Sequence, residues 1–151
     1  MAAVRSAGVL ALVAALLLSG CASPEQGGPE LDSAAVIAAL AGIDGVTAAD
    51  ASAYSTGTPT SYGVRTEISV DDAGLAAIGD VMGSAVDVLA AQAAGFRTYV
   101  IEVSAPDPEN PGTEMIVTLA DYQDQMPFTQ GSYLGWTLTL TADELQQAAG
   151  S

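Results

Sequence analysis

Residues 62–104, YGVRTEISVDDAGLAAIGDVMGSAVDVLAAQAAGFRTYVIEVS, hold two alternating stretches around one helical stripe. In the first, Tyr62, Val64, Thr66, Ile68 and Val70 alternate with Gly63, Arg65, Glu67 and Ser69, the period of a strand with one wet face. Asp71 and Asp72 offer a cap and favourable negative charge to a helix over residues 73–94, whose Leu75, Ile78, Met82, Val86 and Leu89 form a single apolar stripe. Gly95 closes it. Gly79 and Gly83 lie one turn apart, which permits close approach of a strand or partner; an Ala- and Gly-rich chain also supplies such glycines without any packing role. Residues 96–104 resume the alternation, with Tyr99, Ile101 and Val103 on one side.

The flanks extend this pattern. Residues 113–120 read as a strand whose Met115, Val117 and Leu119 face Tyr99, Ile101 and Val103, joined through the proline-rich loop APDPENPG at 105–112. Residues 133–140 form a further strand with Leu134, Trp136, Leu138 and Leu140 inward, and Trp136 is its expected core anchor. Thr141-Ala142-Asp143-Glu144 is a capping box that opens a terminal helix to Ala149, with Leu140 and Leu145 as staple. Upstream, residues 31–43 suit a short helix capped by Asp32 and stapled by Leu31 and Val36, with Gly42 in the left-handed closing position. Residues 46–55 are a small-residue strand bounded by Gly45 and the turn segment GTPTS at 57–61.

The expected fold is α+β: an antiparallel sheet of about five strands with helices on one face, built as two helix-strand-strand units plus a C-terminal strand and helix. This order of elements resembles that of the BON family of small envelope domains and, more broadly, ferredoxin-like sandwiches. Fold alone implies no function.

The first 20 residues have a separate meaning. Arg5 and the terminal amine precede residues 7–18, which contain no polar side chain, giving the charged and apolar regions of a secretory signal. As a helix, this apolar run spans about 18 Å at 1.5 Å per residue. A bilayer core of roughly 30 Å requires about 20 residues. Leu18-Ser19-Gly20-Cys21 then resembles the lipobox of bacterial lipoproteins. The resemblance implies cleavage between Gly20 and Cys21 and a diacylglyceryl group, with acyl chains such as palmitate, on the Cys21 sulfur. Two chains satisfy the requirement for stable anchoring. The expected organisation is a signal peptide at 1–20, lipidated Cys21 and a flexible Pro-, Gly-rich tether at 21–30, and a single acidic α+β domain at 31–151. Its expected place is extracytoplasmic, held to the membrane through Cys21.

Charge and residue types exclude several functions. The formal net charge is −15, and cleavage leaves Arg65 and Arg97 against all eighteen acids. Such a surface repels phosphate backbones, so nucleic acid is not an expected partner. With no His, no Lys and Cys21 as the sole cysteine, the chain lacks the base of a Ser-His-Asp or Cys-His arrangement, the amine of a Schiff base and the lysine of a P-loop. Internal disulfides and imidazole-thiolate zinc sites are excluded too. No cofactor is expected.

Three groups of residues remain as chemical candidates. Asp107, Glu109, Asn110 and Glu114 place oxygen donors close in sequence, as calcium accepts, but their spacing matches no EF-hand and a solvated, proline-stiffened loop is the expected reading. Asp121 and Asp124 flank Tyr122; two carboxylates can serve as acid and base if their environments differ, and can also lie in a polar turn. Arg65 and Arg97 are expected to neutralise acids such as Glu67 or Glu102 on neighbouring strands. The function expected from all this is a non-enzymatic envelope interaction or accessory module with a protein partner. The alternatives are a carboxylate-based envelope polysaccharide hydrolase and a small-ligand- or cation-binding lipoprotein.

Overall fold

The computed structural model describes residues 28–151. Cys21, the cleavage site and most of the tether lie outside the described residues. Helix α1, Ser33–Leu40, starts where Asp32 Oδ1 accepts the Ala35 N–H at 3.0 Å, and buries Val36 and Leu40. Strand β1, Val46–Ser55, and β2, Tyr62–Val70, then form an antiparallel hairpin. The left-handed residue before β1 is Gly45, with φ 84°, rather than Gly42.

The long helix is two helices. Asp71 Oδ1 accepts the Gly74 N–H at 2.7 Å to cap α2, Asp72–Ala76, and the chain bends at Ala77 before α3, Ile78–Gln92. A side chain at Gly74 would stand 2.5 Å from the Gly45 carbonyl oxygen, so this helix start and the approach to β1 touch backbone to backbone. Of the apolar stripe, Ile78, Met82, Val86 and Leu89 on α3 are buried, while Leu75, on α2, is half-buried against the same core. Gly95, with φ 98°, ends the connection. Strand β3, Thr98–Pro106, follows.

Here the expected antiparallel sheet changes direction. β3 pairs parallel with β2, from Gly63 opposite Thr98 to Ser69 opposite Ser104. A helical crossover returns the chain in the same sense, which a tight turn cannot do. The sheet is mixed, in the order β1-β2-β3-β6-β5, with β5 at Ser132–Leu134 and β6 at Thr137–Thr141. Of the segment expected as a strand at 113–120, only β4, Glu114–Ile116, pairs with β3. Beyond it the Val117 N–H reaches the Val103 carbonyl, and the chain turns under the sheet as a 3-10 helix, Leu119–Gln125, with Val117 and Leu119 buried.

The segment at 133–140 is also divided. Gly135, with φ 63°, and Trp136 form a two-residue turn between β5, Ser132–Leu134, and β6, Thr137–Thr141. That turn moves Leu134 and Trp136 out of the expected core, to exposures of 69% and 55%, while Leu138 and Leu140 stay buried. The capping box then opens α4, Ala142–Ala148: the Glu144 N–H donates to Thr141 Oγ1, and Glu144 Oε2 accepts the Thr141 N–H. Helices α1, α3 and α4 and the 3-10 segment supply the layer against which the inward side chains of the strands are buried.

Gly79 and Gly83 have a packing role inside the chain. A Cβ at Gly79 would overlap the Gln125 carbonyl oxygen, and one at Gly83 would meet Pro127 Cγ at 2.9 Å. Both glycines let the backbone after the 3-10 helix lie against α3. Tyr99 ties the other side of α3 to the sheet, donating its buried hydroxyl to the Ala93 carbonyl at 2.7 Å. Burial pushes that phenol's pKa up, partly countered by the Phe96 backbone.

Candidate functional site

The face of the sheet opposite the helices presents the other half of each strand's alternation. Register places its residues in cross-strand rows. One row runs Asp50, Glu67, Glu102, Thr137, Leu134 across β1, β2, β3, β6 and β5. The next, toward the C-terminal ends of β2 and β3, is Ala48, Ser69, Ser104, Ile116, the last from β4. On the other side lie Ser52, Arg65, Val100, Thr139 and Ser132. A last row begins with Tyr54, whose ring covers Gly63 so closely that a Cβ there would meet it at 2.6 Å.

Serine and threonine supply much of this face. It has an acidic centre, with three carboxylates on adjacent strands, and an apolar corner. Ile116 is 62% exposed and stands in the row beside Leu134; Trp136 and Met115 are their chain neighbours. β4 and β6 both lie along the edge of β3 away from β2, one beside its C-terminal half and one beside its N-terminal half. The corner therefore forms where they meet.

Between the two lies a shallow depression of about 350 Å³, lined by Glu67, Ser69, Glu102, Ser104, Glu114 and Ile116 among others. Glu114 Oε2 accepts the Ser104 hydroxyl at 2.8 Å and the Ser69 hydroxyl at 3.1 Å, and the two hydroxyls are 2.9 Å apart. One carboxylate thus straps β4 across β3 to β2. Ser-carboxylate contacts can activate a hydroxyl in principle, but here the hydroxyls are shared between each other and one exposed acid.

The calcium candidates are divided between two places. Asp107 accepts the Asn110 side-chain N–H at 2.7 Å and the Glu109 backbone N–H at 2.8 Å, which hold its carboxyl below the usual range. Glu114 is engaged with the serines on the sheet. Among the described residues no three acidic side chains converge as a metal would require. Asp121 and Asp124 both lie exposed on the 3-10 helix, and Asp124 lines a second hollow with Met126, Phe128 and Tyr133. The Tyr133 hydroxyl is buried without a hydrogen-bond partner, and burial raises its pKa. Arg65 stands opposite Ser52 and Val100, one row from the acids expected as its partners; Arg97 lies just before β3, where its backbone links Tyr62 and Ala142.

Glu67 and Glu102 entered the sequence reading only as counter-charges for arginine, and Asp50, Ile116 and Leu134 carried no functional reading. The outward places of Glu67 and Glu102 in the alternation of β2 and β3 were a visible signal; their alignment in one row with Asp50 and Leu134 requires the register. Comparison of the chain with protein-family models, with curated proteins and with solved structures finds no match in any of the three.

Proposed function

We propose that this chain is a lipid-anchored, non-enzymatic interaction module of the cell envelope, tethered through Cys21, and that its working surface is the bare face of the sheet. The observation that carries this reading is the exposure of Ile116 and Leu134 on neighbouring rows of that face, with Trp136 exposed in the turn after Leu134, alongside the Asp50-Glu67-Glu102 row. Large apolar side chains grouped on a surface and rimmed by polar ones mark protein interaction sites. The residue inventory supports the same reading, since a chain without His, Lys or a second cysteine lacks most nucleophile-base pairs.

The hydrolase reading draws on Glu67, Glu102 and Glu114 lining one depression. Acid catalysis by a carboxyl needs a dry environment that keeps it protonated near neutral pH. Glu67 and Glu114 are exposed instead, which favours the binding reading.

The test is site-specific photocrosslinking in intact cells, with a photoreactive residue at Ser52 or Thr139 on the bare face and at Ala91 or Gln147 on the helical side. Adducts to a protein are expected from the first pair only. Uncrosslinked monomer at all four positions, or adducts confined to Ala91 and Gln147, refutes the proposal.

A further inference from the structure

We infer that the partner seated on the bare face is a cationic protein segment that lays lysine or arginine side chains across the Asp50-Glu67-Glu102 row and a large apolar side chain against Ile116, Leu134 and Trp136. This deepens the interaction reading and rests on it. The acids are directly opposed, Asp50 to Glu67 and Glu67 to Glu102. Like charges in that position are unfavourable in a sheet, and a cation placed over the row removes the repulsion. Arg65, one row away, is the only fixed positive charge on the strands of this face.

Other occupants fit less well. A second copy would bring another −15 of charge and a second acid row onto the first. A bilayer with anionic headgroups is disfavoured by the same charge. Thr137 opposite Glu102 and Leu134 opposite Thr137 make the acidic and apolar parts one continuous surface, which a single segment can cross.

Trp136 is the only tryptophan and lies at the corner, so its emission reports occupancy directly. The experiment titrates the full lipoprotein, in neutral detergent micelles, with a synthetic peptide of lysines and serines carrying two leucines. Controls replace its lysines by glutamates or its leucines by serines. The lysine-leucine peptide is expected to shift Trp136 emission to the blue, saturably and less strongly at high salt. E67Q with E102Q is expected to weaken binding about tenfold, while D80N with E109Q, equal in charge change but away from this face, leaves it within about twofold. W136A, followed by calorimetry, is expected to weaken binding too.

Equal weakening by D80N with E109Q overturns the proposal, as does equal binding of either control peptide. A blue shift that follows protein concentration without peptide assigns the face to a second copy. A shift with phosphatidylcholine or phosphatidylglycerol vesicles but not with the peptide assigns it to the membrane. Either result overturns the cationic partner. Bare-face crosslinks in cells together with no peptide binding would remove the cationic partner and leave the interaction module standing.

Discussion

Replacing Gly79 by alanine opposes two effects whose sizes are separable. In the first turn of α3 the substitution by itself gains at most about 1 kcal/mol from helix propensity and reduced backbone entropy. Against that, the new Cβ would overlap the Gln125 carbonyl oxygen and press on its carbonyl carbon at 3.1 Å. α3 cannot yield, because Ile78, Val81, Met82, Val86 and Leu89 fix it to the sheet. The segment after the 3-10 helix must therefore move, by something on the order of 1 Å to restore van der Waals distance. That loosens Leu119 and Phe128, both buried. Overpacking typically costs about 1–3 kcal/mol, and contact with backbone belongs at the upper end. The net expectation is a loss of about 2 kcal/mol, or roughly 8 °C in Tm at about 4 °C per kcal/mol for a fold of this size. Urea denaturation followed by far-ultraviolet circular dichroism measures it, with Gly83→Ala as the internal comparison. There the obstacle is a proline ring edge at 2.9 Å, which can tilt, so a change within about 1 kcal/mol is expected. A Gly79→Ala protein at least as stable as the parent would refute the packing argument.

Thr66→Val removes a buried hydroxyl with no hydrogen-bond partner, and is expected to leave stability unchanged or raise it by about 1 kcal/mol in the same assay. Thr141→Ala breaks the box that opens α4 and is expected to cost about 1 kcal/mol at neutral pH. Glu144 is held below its ordinary pKa by the Thr141 backbone N–H and hydroxyl, so its contribution is present above the unfolded carboxylate pKa and is lost as pH falls through the folded one. The gap between parent and variant therefore narrows in acid, which denaturation at about pH 7 and pH 3 checks. Tyr99→Phe orphans the Ala93 carbonyl and is expected to cost about 1 kcal/mol. Because burial raises the Tyr99 pKa, the parent loses stability as pH climbs through the unfolded phenol pKa toward the folded one, and Tyr99→Phe is expected to flatten that alkaline decline in a pH series of melts.

Two strands were legible to the residue: β2 from its strict alternation, and β1, a run of small residues, from its Gly45 and GTPTS boundaries. Parallel pairing was implied by the length of the 71–97 connection and went unread, because alternation identifies a strand without its direction. At 133–140 the run of alternate leucines and tryptophan hid a reversal. The signal was Gly135, whose left-handed φ starts a turn and resets the phase, so that Leu134 and Trp136 face water and Leu138 and Leu140 do not. The helix 73–94 was read as continuous because its stripe is continuous, whereas the break at Ala77 comes one turn after Gly74 meets Gly45 across the fold. The bare face escaped the reading for a related reason. Glu67 and Glu102 lie 35 positions apart, and only the register makes them neighbours. Asp107 and Glu114, near in sequence, are directed to different partners.

The parallel contact between β2 and β3 also orders events in time. A chain is synthesised from its N-terminus, so the two strands of the β1–β2 hairpin are made before residues 98–106, which cover the second edge of β2. Until α3 has formed and swung β3 into place, Val64, Ile68 and Val70 have only half their final surroundings, and no disulfide within the described residues can hold the intermediate together. Non-local parallel pairing of this kind is intrinsically slow to close, and β6 and α4 build on the strand it brings in.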